Sequence, residues 1–252
     1  MSKTLEIKFK GEKLKFELNE EEAKLFTDDS AFLTKESNDS ISISDTFFDD
    51  SVQVKDVCRY KLVYESSNWM FKSPKGLNIS KFSTENDIEI DDSDENLILI
   101  LESPHKDEYV IENKKLIPKS PASGDTGKHL YKYFNSHVLP ILFSLGLILE
   151  QSKKYNFCIV NPVPYQTSLF HINGKGVHKT LRNKIWKKLY PKCSSIFKEK
   201  LNSYEPSIIL NGCTSDLKKE LDNEIKKTCC AKIFNISHPS CWQISLASFK
   251  RS

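Results

Sequence analysis

A carboxylate, an amide and an imidazole stand at the ends of three apolar, β-branched runs. They are Glu102 in LILILESPHKDEY (97–109), Asn161 in FCIVNPVPYQT (157–167) and His238 in IFNISHPSCW (233–242). Each run breaks into Pro and polar residues on its C-terminal side. That is the pattern of a buried parallel strand delivering side chains to the active edge of an open α/β sheet. The three residue types suit hydrolysis of a nucleoside bond. A carboxylate serves water or a developing cation, an amide reads a base edge through its acceptor and its donor, and an imidazole donates to an anionic leaving group.

These residues need a scaffold, and the surrounding pattern predicts one. Leu130, Phe134 and Val138 recur four apart, as do Leu181, Ile185 and Leu189, each set marking a helical face. Pro140 is expected to break or kink the first of these helices. SIILNG (207–212) and AKIFNIS (231–237) read as buried strands around the polar helix DLKKELDNEIKK. Strands alternating with helices predict an α/β fold with a mostly parallel central sheet and helices on both faces. The N-terminal part reads differently. LEIKFKGEKLKFEL (5–18) is a β-hairpin pattern, and RYKLVYE (59–65) and NWMFK (68–72) are further strands. Residues 19–56 read as loop with at most a short helix near Glu20–Phe26, and 84–96 as a solvated acidic connection. The expected division is a β-rich acidic appendage over 1–95 and an α/β domain over 96–252.

Composition agrees with that division. Residues 1–95 hold 13 Lys and Arg against 22 Asp and Glu, a balance of −9, while 96–252 hold 24 against 12, a balance of +12. An acidic part beside a basic part fits a polyanion partner for the latter, and equally fits simple solubility. No apolar run approaches the roughly 20 residues of a membrane span, and the start lacks an apolar signal core, so a cytoplasmic protein is expected. Seven cysteines without framework spacing read as reduced thiols.

The order and punctuation of these motifs resemble the uracil-DNA glycosylase superfamily, most closely its iron–sulfur branch. There the first motif runs G-E-A-P-G, followed a loop later by P-F-x-G-x-A-G-x-x-L. The corresponding text here is LESPH (101–105) and PASGDTGKHL (121–130), which carries Glu102, Pro104, Pro121, Gly124, Gly127 and Leu130. Asn161 in VNPVP, ILNG (209–212) and the H-P-S at 238–240 match the later motifs. The resemblance covers about 96–245. It implies a DNA partner, Glu102 and His238 as catalytic residues, and Asn161, Ser103, His105 and Ala122 around the base. It also implies DNA contacts from Ser240 and from Trp242 as an apolar wedge, while Lys179 and Arg182 belong to a basic set that meets phosphates or is simply a solvated helix face.

Two departures bear on the substrate. Ala122 stands where relatives stack an aromatic ring, and His105 where strict uracil enzymes carry a Tyr. Both imply a wider pocket, unless Tyr109 or Tyr165 supplies the ring. The four cluster cysteines are absent, so no metal cluster or other cofactor is expected. The expectation is a monofunctional DNA glycosylase of a prokaryotic cytosol, acting on a bulky modified base such as a modified cytosine of phage DNA, as in antiviral defence. Three alternatives stay open: a uracil-DNA glycosylase of base-excision repair, a non-enzymatic nucleic-acid-binding module that Ser103 makes credible, and a thiol hydrolase using Cys158 or Cys241 near His238.

Overall fold

A computed structural model describes residues 3–26, 30, 32–37, 39–72, 93–242 and 250–251. Most of the acidic connection expected at 84–96 therefore lies outside the described residues. In chain order the strands are β1 (Lys3–Phe9), β2 (Glu12–Leu18), β3 (Leu33–Ser37), β4 (Ser40–Ile43), β5 (Val57–Glu65), β6 (Asn68–Lys72), β7 (Glu95–Ile100), β8 (Tyr109–Glu112), β9 (Lys115–Pro118), β10 (Tyr155–Val160), β11 (Ile208–Asn211), β12 (Lys232–Asn235) and β13 (Lys250–Arg251). The α-helices are α1 (Glu20–Ala23), α2 (Asp125–Tyr133), α3 (Leu139–Ser144), α4 (Phe170–Asn173), α5 (Lys179–Tyr204) and α6 (Ser215–Thr228). They pack as two compact units that interleave along the chain. The first takes Met1–Val54, Ser103–Lys119 and Val163–Ser194; the second takes Lys55–Glu102, Ser120–Pro162 and Ser195–Ser252.

In the first unit the expected hairpin forms, with Lys3 opposite Leu18 and Phe9 opposite Glu12. Its two-residue turn has Lys10 at φ +47 and Gly11 at φ +81, and a tight hairpin turn of this hand needs positive φ at both positions. Asn19 and Glu22 form a reciprocal capping box on α1. The stretch expected to be loop contains two strands instead, giving a sheet of order β2-β1-β4-β3. β4 pairs in parallel with β1, and its Ser-Ile-Ser-Ile alternation buries Ile41 and Ile43. The serines that suggested a loop are alternate residues of a strand, and Ser42 is itself buried, a period of two hidden by a polar composition. The hairpin β8–β9 was likewise unexpected, within a Pro-punctuated stretch; its turn holds Asn113 and Lys114 at positive φ.

The second unit is built on one mixed sheet of order β13-β12-β11-β7-β10-β5-β6. β12, β11, β7 and β10 are mutually parallel, while β5, β6 and β13 add antiparallel edges. The fold is thus mixed α/β, and the sheet is less parallel than expected because residues 57–72, assigned above to the appendage, extend it. β10 is buried at every position, the signature of a strand covered on both faces. Its core gathers Leu97, Leu99, Phe157, Ile159, Leu210 and Phe234 with Leu130, Phe134 and Val138 from the helical side. The helical ladder there widens to a π-turn, Phe134–Val138, just before Pro140 in α3. Pro140 lacks the N–H a continuous α-helix would use at that point.

The four parallel strands run β10-β7-β11-β12 across the sheet. Successive connections from β7 therefore go first to one side and then to the other. In such open sheets the crevice outside the strand C-termini at this reversal is where ligands bind.

Candidate functional site

Glu102 is the second residue past β7 and is 6% exposed. Its Oε2 accepts the backbone N–H of Thr214 at 2.7 Å. Thr214 caps α6 just after β11, so the carboxylate sits between β7 and β11, at the reversal. The Gly212 N–H donates to Ile100 O at 2.9 Å, closing the same turn. A Cβ at 212 would come within 3.2 Å of that oxygen, which accounts for a glycine there. Lys218, one turn into α6, donates from Nζ to Ile236 O and lies in electrostatic reach of Glu102. Burial lowers the pKa of this amine, against the raising effect of Cys213, Asp222 and Glu102.

Asn161 is the first residue past β10 and is 2% exposed. Among the described residues neither its Nδ2 nor its Oδ1 finds a hydrogen-bond partner, although both atoms are buried. Leaving such groups unpaired costs about 1–3 kcal/mol by mutational measures, and at Asn161 both ends of the amide are in that state. Its backbone is held from the other side, because the Asn161 N–H donates to the Asp56 carboxylate. Asp56 is itself paired with Lys200 Nζ at 2.9 Å and accepts from the Tyr204 hydroxyl at 3.4 Å. Burial raises the Asp56 pKa, only partly offset by Lys200. Asp56, held by Lys200 and Tyr204, thus lies beside the Asn161 backbone, while the Asn161 amide is unsatisfied among the described residues.

His238 opens a single 3-10 turn after β12. Its Nδ1 accepts the backbone N–H of Ser240 at 3.2 Å and lies 2.8 Å from Ser240 Oγ. A ring nitrogen that accepts a backbone N–H carries no proton, so the neutral ring's proton resides on Nε2 and makes that atom a donor. Ser240, expected to meet DNA, sets this tautomer. Trp242 closes the turn from below, donating Nε1–H to Ser237 O at 2.8 Å. At 3% exposure, with its ring in the core near Phe134, Trp242 packs the turn and does not project as a wedge. Ala122 is also fully buried in that core, with φ +54, and its carbonyl oxygen would lie 2.0 Å from a Cβ at Gly127. That close approach accounts for the glycine at 127, and Ala122 packs within the core cluster.

The remaining expected residues belong to the first unit. Ser103 Oγ lies 2.7 Å from Thr167 Oγ1. The His105 side chain is 58% exposed, with Nδ1 3.5 Å from Asp107. Lys179 is exposed at the start of α5, whereas Arg182 folds its guanidinium onto Asn183 Oδ1 at 3.0 and 3.2 Å. Tyr109 and Tyr165 are buried; Tyr165 packs edge-on against Phe9, so neither ring is presented to a base.

Asp56, Lys200, Tyr204 and Lys218 escaped the sequence reading. Asp56 is an acid in an acidic stretch, and Lys218 stands in a run of helix lysines; nothing in their spacing sets them apart. Of the thiols considered, Cys158 is buried and hydrogen-bonded with Cys58, which together with burial pushes its pKa up and away from a reactive thiolate. Among the described residues no group of three or more His, Cys, Asp or Glu could hold a metal ion, and no helix is long and apolar enough to cross a membrane. Comparisons with family models, with curated proteins and with solved structures found no match to this chain.

Proposed function

We propose that this chain is a DNA glycosylase, which extrudes a modified base and hydrolyses its N-glycosidic bond to leave an abasic site. The observation that carries the reading is the buried, unsatisfied amide of Asn161 on the same strand edge as Glu102 and His238. Interstrand steps of about 4.8 Å put β10 and β12 about 14 Å apart, the scale of one nucleotide between facing side chains. An extruded base offers the donor and acceptor that the amide lacks. Nε2–H of His238 suits an anionic leaving group, and the Glu102 carboxylate suits the oxocarbenium-like sugar or its attacking water. A cytosolic enzyme of antiviral defence acting on bulky modified cytosine remains the proposed setting. That choice rests on the sequence, in which His105 and Ala122 stand where strict uracil enzymes carry a Tyr and relatives a stacking ring.

The test is a set of duplexes containing uracil, hypoxanthine, hydroxymethylcytosine or glucosylated cytosine, scored for abasic sites. Release of one of the cytosine derivatives, lost in Glu102→Gln, is expected. Release of uracil alone would point to repair. DNA binding without release of any base would leave a non-enzymatic binding module as the better account.

A further inference from the structure

We infer that Lys218 gives this site a second activity: cleavage of the DNA strand at an abasic deoxyribose through a Schiff base on its amine. The inference rests on the glycosylase reading and extends it, since an abasic site is that reaction's product.

Three elements bring the required groups to one edge. Lys218 stands four residues after Thr214, whose N–H holds Glu102. Side chains on a helix lean toward its N-terminus, so the Lys218 stem runs back to the end of α6 that meets the strand termini. Its Nζ reaches the carbonyl of Ile236, the first residue past β12 and two before His238. On the same helix Lys219, Lys226 and Lys227 are exposed, whereas Lys218 is half-buried. A lysine serving only solubility would have stayed out with the others. Burial also favours the neutral amine, the nucleophilic form.

The chemistry needs no oxidant or metal. The neutral amine adds to the C1′ aldehyde of the ring-opened sugar, and the carbinolamine takes a proton from solvent on its hydroxyl and loses water to give an iminium ion. The Glu102 carboxylate takes a proton from C2′. The electron pair left there expels the 3′ phosphate as the C3′–O bond breaks. Water then hydrolyses the imine, restoring the amine and releasing an unsaturated aldehyde on the upstream strand.

Duplex DNA carrying a preformed abasic site isolates this step from base release. The full chain is incubated with it in sodium borohydride, which reduces the imine to a stable amine. A covalent complex is expected, with the modified peptide containing Lys218 by mass spectrometry. Lys218→Arg keeps a cation and a donor for Ile236; with its thermal melt unchanged, it should trap at least tenfold less. Trapping undiminished in that variant, or mapped to another lysine, would overturn the inference. So would absence of trapping by a protein that does release a base, and that outcome leaves the glycosylase reading standing. Trapping at Lys218 without release of any base would instead support the amine chemistry and count against the glycosylase reading.

Discussion

Several positive charges of the first unit end on neighbouring protein. Lys188 donates to Lys15 O and sits over the Phe16 ring, Lys192 pairs with Glu12, and Arg182 is folded onto Asn183. At the strand edge of the second unit the arrangement is reversed: backbone groups and buried partners hold Glu102, Asn161 and His238 in position, and the Asn161 amide is left unmatched. Polar side chains spent on surface contacts describe a scaffold, whereas buried polar side chains gathered at strand ends describe a candidate site. The charge asymmetry read along the chain dissolves because the two units interleave acidic and basic segments. The first unit holds 18 Lys and Arg against 16 Asp and Glu and the second 19 against 18, so their formal charges are +2 and +1.

Variants can break this contrast. The largest effect should come from Trp242→Ala, which empties the core under the His238 turn and should cost about 3–5 kcal/mol of stability in urea unfolding. A loss below about 1 kcal/mol would mean the ring is not core and would reopen its role as a wedge. Next, Glu102→Gln and His238→Ala should each slow base release by about 2.7–4 kcal/mol of barrier, some hundredfold or more, while melting near the wild type. Near-wild-type rates in both would remove the strand edge as the site.

Asn161→Leu separates function from stability. Replacing an unsatisfied buried amide by an apolar side chain of similar volume should stabilise the fold by about 1–3 kcal/mol while base release is lost. Destabilisation of that size would show the amide to be structurally satisfied and not reserved for a ligand.

Asp56 gives a pH signature. Its pKa is raised in the folded protein, so the folded state retains a proton that the unfolded chain loses from about pH 3.9 upward. Stability should therefore fall as pH rises through this window, by at most about 1.4 kcal/mol per pH unit, and level off above the folded value. Asp56→Asn should flatten that slope in denaturation measured from pH 4 upward; an unchanged slope would assign it to other groups. The smallest effect should be Lys179→Ala with Arg182→Ala, which should weaken DNA binding less than tenfold at low salt. A hundredfold loss would place a nucleic-acid surface on the first unit and undo the contrast.

How much of this was legible differs by residue. Glu102, Asn161 and His238 stood out because a buried strand must be apolar and must end in a turn, so a polar residue at that junction marks an edge in the sequence itself. Burial of Leu181, Ile185 and Leu189 followed from helical spacing. β4 was missed because strand pairing is non-local: Ser40–Ile43 becomes a strand by lying beside β1, some 36 residues earlier in sequence.

The sequence by itself determined the alternation of strands and helices and the three polar junctions, since these depend on local periodicity and on chain-breaking residues. Tertiary structure alone decided that residues 57–72 join the larger sheet, that Trp242 and Ala122 belong to the core, that Asp56 lies beside the Asn161 backbone and that Lys218 comes within electrostatic reach of Glu102. Those outcomes depend on which distant segments share a surface. Burial, pKa shifts and unsatisfied hydrogen bonds arise only once that surface has formed.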